Sequence, residues 1–412
     1  MNPPESSRPP FLQSASVVLV AGSLIAIVSF GPRSTMGFFL TPMTTEFGWG
    51  REVFALAIAI QNLAWGIAQP FVGMLADRFG TARVLSGGAL LYGLGLVTMA
   101  FTTDAVVLQF TGGILVGLGI AGSAFLLVTS AFARLLPDSM RTIGFGIGTA
   151  AGSVGQFIFA PLGQGFITAY GWQNALLFMA CFMFAVPFLS FTIRGKPKAS
   201  PARAGQADQS VMEALREAFG HGSYRLLVAG FFVCGFQIAF ITVHLPPYLS
   251  DIGIPAYWGG VAIALIGLFN IAGSLTSGVL SGRLPKRWIL AVIYFARALL
   301  IAVYILLPPS IFTTLAFTAL IGFLWLSTVP PTQQLVAVMF GTRYLATLFG
   351  FVFFSHQVGS FFGVWLGGAI YDATGSYLGV WWLSVALGIF AAIVHLPIKE
   401  VGVPRLTRPA EA

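Results

Sequence analysis

Arg33, His244, Arg297 and His356 each put a cationic or titratable nitrogen into otherwise apolar sequence. The stretch around the first reads SFGPRSTMGFFL, inside a run that is apolar back to Val17. All thirteen Asp and Glu residues fall in loops, tails or the ends of apolar runs, among them Glu46, Asp77, Asp251 and Asp372. An arginine at the centre of a lipid-embedded helix costs about 2.5–3.5 kcal/mol on insertion scales. With no carboxylate in the run to neutralise Arg33, the missing partner is an exogenous anion. His356, in FFSHQVGS, is of a type that titrates near neutrality. It can meet an anion and carry a proton, or simply hydrogen-bond across helices. Arg297 reads as a brace that bonds backbone carbonyls. His244, in TVHLPPYL, either lines a vestibule at one end of its run or caps a helix kinked before Pro246.

Other chemistries find no residues. No apolar run carries a nucleophile with a base at helical spacing, so no catalytic residue is assigned. Cys181 and Cys234 fit no metal spacing and read as packing residues. GLGIAG at Gly117–Gly122 satisfies G-x-G-x-x-G but follows no strand. No Walker loop is present, and neither a cofactor nor a metal is expected.

The elements that must position these residues follow from composition. The chain is 57% hydrophobic and 8% charged, against about 25% charged in soluble globular domains. It belongs in a bilayer, where only helices and closed barrels satisfy the backbone. Its apolar runs are continuous, near the roughly 20 residues a helical span needs, and lack the period-two alternation of barrel strands. Twelve spans are expected: 15–41, 53–76, 84–103, 105–134, 142–170, 173–193, 225–250, 256–281, 288–307, 310–339, 344–371 and 378–397. The domain reading is a tail at 1–13, a six-helix bundle at 14–193, a linker at 194–224, a second bundle at 225–397 and a tail at 398–412. Within the linker, VMEALREAF has the pattern of a short amphipathic surface helix.

The net charge of +8 belongs to orientation rather than to nucleic acid. Eighteen of the twenty-one Lys and Arg residues lie in the tails or in loops on the side of the N-terminus, and the opposite loops hold only Arg51. Basic loops stay in the cytoplasm, so both termini are expected there.

The two halves repeat. GFFLTPMTTEFG matches TVHLPPYLSDIG, pairing Leu40 with Leu245, Pro42 with Pro247, Glu46 with Asp251 and Gly48 with Gly253. The same shift lays GMLADRFG on GVLSGRLP. One residue less pairs Gly155, Gly163 and Gly171 with Gly359, Gly367 and Gly375. Two parallel six-span repeats are the arrangement of rocking two-domain transporters.

GMLADRFGTARV resembles the loop between spans two and three of the major facilitator superfamily, with Gly73, Asp77, Arg78, Gly80 and Arg83 at that family's spacing. The resemblance implies an all-α membrane fold of two six-helix bundles. It also implies a cytoplasmic gate of Gly73, Asp77, Arg78, Arg83 and Arg283, in which Asp77 pairs with arginines. The second copy has Gly282 where the acid would stand, and Gly113 replaces the superfamily's fourth-span arginine.

GPRSTMGFF further resembles the first span of monocarboxylate porters, with Arg33 where those porters place a substrate-engaging lysine. In span eight the porters carry an Asp and, four residues later, an Arg; here FNIAGS supplies Asn270 and Ser274. His356 stands where the related oxalate/formate exchanger has a lysine. Together these imply a secondary carrier for a small organic anion, multi-pass in the cell inner membrane and monomeric. Arg33 would bind the carboxylate, with His356, Asn270, Gln357 and His244 as polar contacts and Phe38, Phe39 and Trp325 as an apolar wall. Uptake with a proton is the default; exchange and uniport stay open. The competing readings are an exporter of a hydrophobic or cationic compound, which would need a carboxylate in its pocket, and a transporter-like membrane sensor.

Overall fold

The computed structural model describes residues 14–194 and 209–407, leaving out the side chains of residue 77 and of several residues from 125 to 149. The tail at 1–13 and the linker stretch 195–208 lie outside the described residues. Within them the chain is helix and turn, with no strand.

The first span is two helices, α1 (Ala15–Ser34) and α2 (Gly37–Phe47), where one continuous span was expected. Pro32 removes a backbone donor, and the hydroxyls of Ser34 and Thr35 donate back to the Gly31 and Pro32 carbonyls at 2.6 and 2.7 Å. The helix therefore ends one residue after Arg33. The second and third spans are α3 (Arg51–Phe79) and α4 (Thr81–Ala100). The fourth combines α5 (Ala105–Leu108), a π-helical stretch at Gln109–Leu115, α6 (Val116–Ser123) and α7 (Phe125–Leu135).

Next comes α8 (Asp138–Ser190), 53 residues long. At 1.5 Å per residue it would reach roughly 80 Å, more than twice the hydrocarbon core of about 30 Å. Gly171, at φ 80°, breaks it into two crossings. The second half holds α9 (Val211–Gly220), α10 (Gly222–Asp251), α11 (Ala256–Ser281), α12 (Lys286–Leu306), α13 (Ile311–Leu324), α14 (Val329–Phe340), α15 (Leu345–Thr374), α16 (Leu378–His395) and α17 (Pro404–Thr407). Of these, α13 and α14 form one span interrupted at residues 325–328. Among the described residues eleven helical stretches are long and apolar enough to cross a membrane, and Gly171 divides the one at Gly146–Ile193. The architecture is therefore the twelve-helix one.

The sequence repeat has a backbone counterpart. Gly48 and Gly253 have φ of 65° and 82°, and Gly171 and Gly375 have 80° and 70°. Both pairs are repeat partners in a region only glycine enters freely. The buried apolar residues fall into two clusters, one mostly within 18–193 and the other mostly within 218–403. The two halves meet where α3 lies along α15 and α8 along α11. Buried amides bond across helices: Gln61 to the Gly112 carbonyl, Gln237 to that of Ser384, and Gln156 to that of Ile263 in the other half. The short helix α9 starts with a capping box between Ser210 and Glu213. Its Glu217 pairs with Arg405 of α17 at 2.9 Å.

Candidate functional site

Arg33 lies in the last turn of α1, half-buried. One guanidinium nitrogen donates to Asn62 Oδ1 at 3.1 Å, and the cation stands 4.8 Å from the Trp65 ring centroid and 5.4 Å from that of Phe30. Asn62 is held by its own helix, its Nδ2 donating to the Ile58 carbonyl at 2.8 Å. That leaves Oδ1 to meet the arginine. Trp65 is fixed likewise, its indole N–H donating to Gln69 Oε1 at 2.7 Å. Tyr92 of α4 lies within electrostatic reach of Arg33, and its buried hydroxyl has no hydrogen-bond partner. Among the described residues no carboxylate touches Arg33. The charge is steadied by an amide and two rings, and the remaining donors of its fork are left for something else.

From the other half, α15 presents Phe353, His356 and Gln357. The Phe353 ring meets Trp65 edge-on at 5.2 Å and stacks on His356 at 5.7 Å. His356 also meets the tilted ring of Phe231 of α10, with centroids 5.1 Å apart. His356 Nδ1 is 3.1 Å from Gln357 Oε1, while the buried Gln357 Nε2 has no partner. A continuous row, Arg33–Trp65–Phe353–His356, thus joins the two halves. Arg33 and His356 face opposite ends of one aromatic pair rather than each other.

The opposite ends of the same helices carry a polar cluster. Arg51, at the start of α3, makes a bidentate ion pair with Asp251 at the end of α10, both contacts 2.7 Å. It also donates to the Tyr377 hydroxyl at 2.8 Å and lies 3.7 Å over the Tyr371 ring. Asp372 of α15 accepts from the backbone N–H groups of Arg51 and Glu52 at 2.9 and 2.8 Å, capping α3 from the other half. Trp365 donates to Glu52 at 2.8 Å.

The sequence profile described as Major Facilitator Superfamily matches residues 22–364. The chain belongs to that superfamily. It is 27% identical over 391 residues to a Bacillus subtilis (strain 168) protein called uncharacterized MFS-type transporter YcxA, covering 92% of this chain and 94% of that one. It is 24% identical over 439 residues to monocarboxylate transporter 12 of Rattus norvegicus, covering 96% and 88%. Among solved structures, an inward-facing bacterial homologue of the human lysosomal transporter Spinster superposes with a TM-score of 0.75 at 15% identity, covering 94% and 97%. The D-xylose–proton symporter gives 0.70 at 16% identity, covering 94% and 99%.

In this member of the major facilitator superfamily the remaining candidates fall into different places. Asn270 has both ends of its amide engaged, donating to Ser153 Oγ at 2.8 Å and accepting from the Leu326 N–H at 2.9 Å. It pins the middle of α11 to α8 and to the break after α13. His244 is buried beside the Arg51 cluster, with Nε2 2.8 Å from the Val364 carbonyl and Nδ1 3.3 Å from the Tyr377 hydroxyl. Trp325 is buried at the α13 break. Phe39 is buried, and Phe38 lines a crevice of about 390 Å³ shared with Thr41, Gln164 and Ser250. Arg297 donates to the carbonyls of Leu324 and Trp325 and is 3.5 Å from Cys234 Sγ. Of the residues expected at a gate, Arg78, Arg83 and Arg283 are exposed and Gly73 faces open space. The Asp77 side chain lies outside the described residues.

Sequence reasoning brought Arg33, His356 and Gln357 forward and passed over Asn62 and Trp65 as site residues. The available signal was spacing: Asn62 and Trp65 are three apart on one helix, as are Phe353 and His356, which puts each pair on a common face.

Proposed function

We propose that this transporter moves a small organic, monocarboxylate-like anion across the cell inner membrane by alternating access, with both termini cytoplasmic. The observation that carries the reading is the half-buried Arg33 with an amide and two rings for partners. A carboxylate reaching Arg33 gains charge-assisted hydrogen bonds from the free side of the fork. His356 and Gln357 close the far side of the aromatic pair, and the default coupling is to a proton. The bundles are 14–193 and 225–397, joined by a cytoplasmic linker, and the Arg51 cluster seals the outer end. An exporter of cationic compounds is less favoured because no carboxylate borders Arg33 among the described residues.

Counterflow in liposomes against a panel of short carboxylates tests this. Wild type should exchange at least one of them. Arg33→Ala should abolish exchange while the protein stays folded, since removing an unpaired charge relieves a cost. Arg33→Lys should keep part of it, the charge being retained and the fork lost. Full exchange by the Ala variant would make Arg33 a structural brace.

A further inference from the structure

A second basic site lies on the outer surface of the first half, away from the Arg33 row. Between the start of α4 and the end of α8 a crevice of about 740 Å³ is lined by Arg83, Ser86, Leu90, Ser190, Phe191 and Arg194, among others. Its volume is in the range of ligand sites, about 300–1,000 Å³. Ser86 and Ser190 form its floor, their hydroxyl oxygens 2.7 Å apart and tying α4 to α8. Leu90 and Phe191 are about half exposed, at 48% and 50%, so the walls face lipid. Arg194 lies over the Phe191 ring at 3.9 Å, which keeps a cation against an apolar surface. Among the described residues no acidic one lines the crevice. Among the described residues neither Arg83 nor Arg194 makes an ion pair.

We propose that this crevice binds the headgroup of an anionic phospholipid. The two guanidiniums would hold the phosphate, and the apolar walls would receive the upper acyl chains. Basic recesses between membrane helices near the cytoplasmic surface recruit anionic lipids by this chemistry. None of the residues that hold Arg33 or His356 borders the crevice, so the site is separate from the Arg33 row, although Arg83 is also one of the residues expected at the gate. The leaflet follows from the orientation proposed above; the headgroup chemistry does not depend on it.

The test is native mass spectrometry of the full-length protein in mild detergent, titrated with dioleoyl phosphatidylglycerol or dioleoyl phosphatidylcholine. Wild type should retain phosphatidylglycerol preferentially. Arg83→Ala/Arg194→Ala should weaken its binding roughly thirty-fold, the equivalent of about 1 kcal/mol for each arginine near the membrane surface. Gly87→Leu is the second variant. A Cβ at Gly87 meets nothing within 4 Å, so the leucine fills the crevice without a backbone clash and keeps both charges. It should also lower lipid retention. Equal binding of the two lipids by wild type, or undiminished phosphatidylglycerol binding in both variants, would overturn the proposal. So would displacement of the lipid by an equal concentration of free glycerol phosphate, which would assign the site to a soluble anion.

Discussion

Arg51 and Asp251 stand 200 residues apart in sequence and close a two-contact ion pair across the two halves of the molecule. Around that pair, Asp372 caps the first turn of α3 and Tyr371 and Tyr377 pack on the guanidinium. The contacts all link the start of α3 to α10, α15 and the turn after α15. In two bundles that rock, such a cluster exists in one state only, so it stabilises the state seen here.

Asp251→Asn removes the charge and leaves the shape. A partly exposed pair of this kind contributes about 1 kcal/mol, which is about a fivefold shift between two conformations. Labelling of a Thr41→Cys probe in the adjacent crevice by an impermeant maleimide should rise by about that factor. Unchanged labelling would mean that the cluster does not control access to this end.

Asn62 positions Arg33 through one hydrogen bond at 3.1 Å. Such bonds to charged groups contribute about 1.5–3 kcal/mol. Asn62→Leu keeps the volume, removes the acceptor and should weaken carboxylate binding roughly tenfold or more. The readout is ligand-induced thermal stabilisation. Affinity equal to wild type would show that Trp65 alone fixes the guanidinium.

The span pattern, the repeat and the isolation of Arg33 were all legible in the sequence, because each is a property of local composition. Span 256–281 coincides with α11 for this reason. The breaks within the first and tenth spans were less legible, since Pro32 and Pro330 sit in runs that stay apolar on both sides. The Arg51–Asp251 pair was not legible at all. It joins the lone arginine of one set of loops to an acid seen only as the repeat partner of Glu46. Glu46 itself accepts from Trp172 and Gln173, so the repeat did not predict the partner. The Trp65–Phe353 contact depends on how α3 and α15 rotate about their axes, which periodicity constrains only to a face.

Close helix packing makes a stability prediction. A Cβ on Gly363 would collide with the Phe236 carbonyl of α10, whereas one on Gly165 meets nothing within 4 Å. Gly363→Ala should lower thermal stability, by an overpacking cost of about 1–3 kcal/mol. Gly165→Ala should be neutral or stabilising, by up to about 1 kcal/mol from helix propensity. Thermal unfolding of the two purified variants in the same detergent decides it, and equal melting temperatures would refute the packing argument.

His356 carries the last prediction. Its ring packs against Phe353 and Phe231, with Nδ1 directed at Gln357 Oε1. The ionisable groups beyond it are Cys234 on α10, which borders the ring, and Arg297 on α12, which touches that thiol. A proton carried on the imidazole would add positive charge at the far end of the aromatic pair and favour an anion at Arg33. Transport should therefore strengthen as pH falls. His356→Gln retains a side chain that can bond Gln357 but cannot carry a proton, so it should flatten that dependence and leave transport at the alkaline end near wild type. Counterflow rates measured over a pH series in wild type and variant are the check. If the variant keeps the wild-type slope, the proton does not travel on His356 and enters with the substrate or not at all.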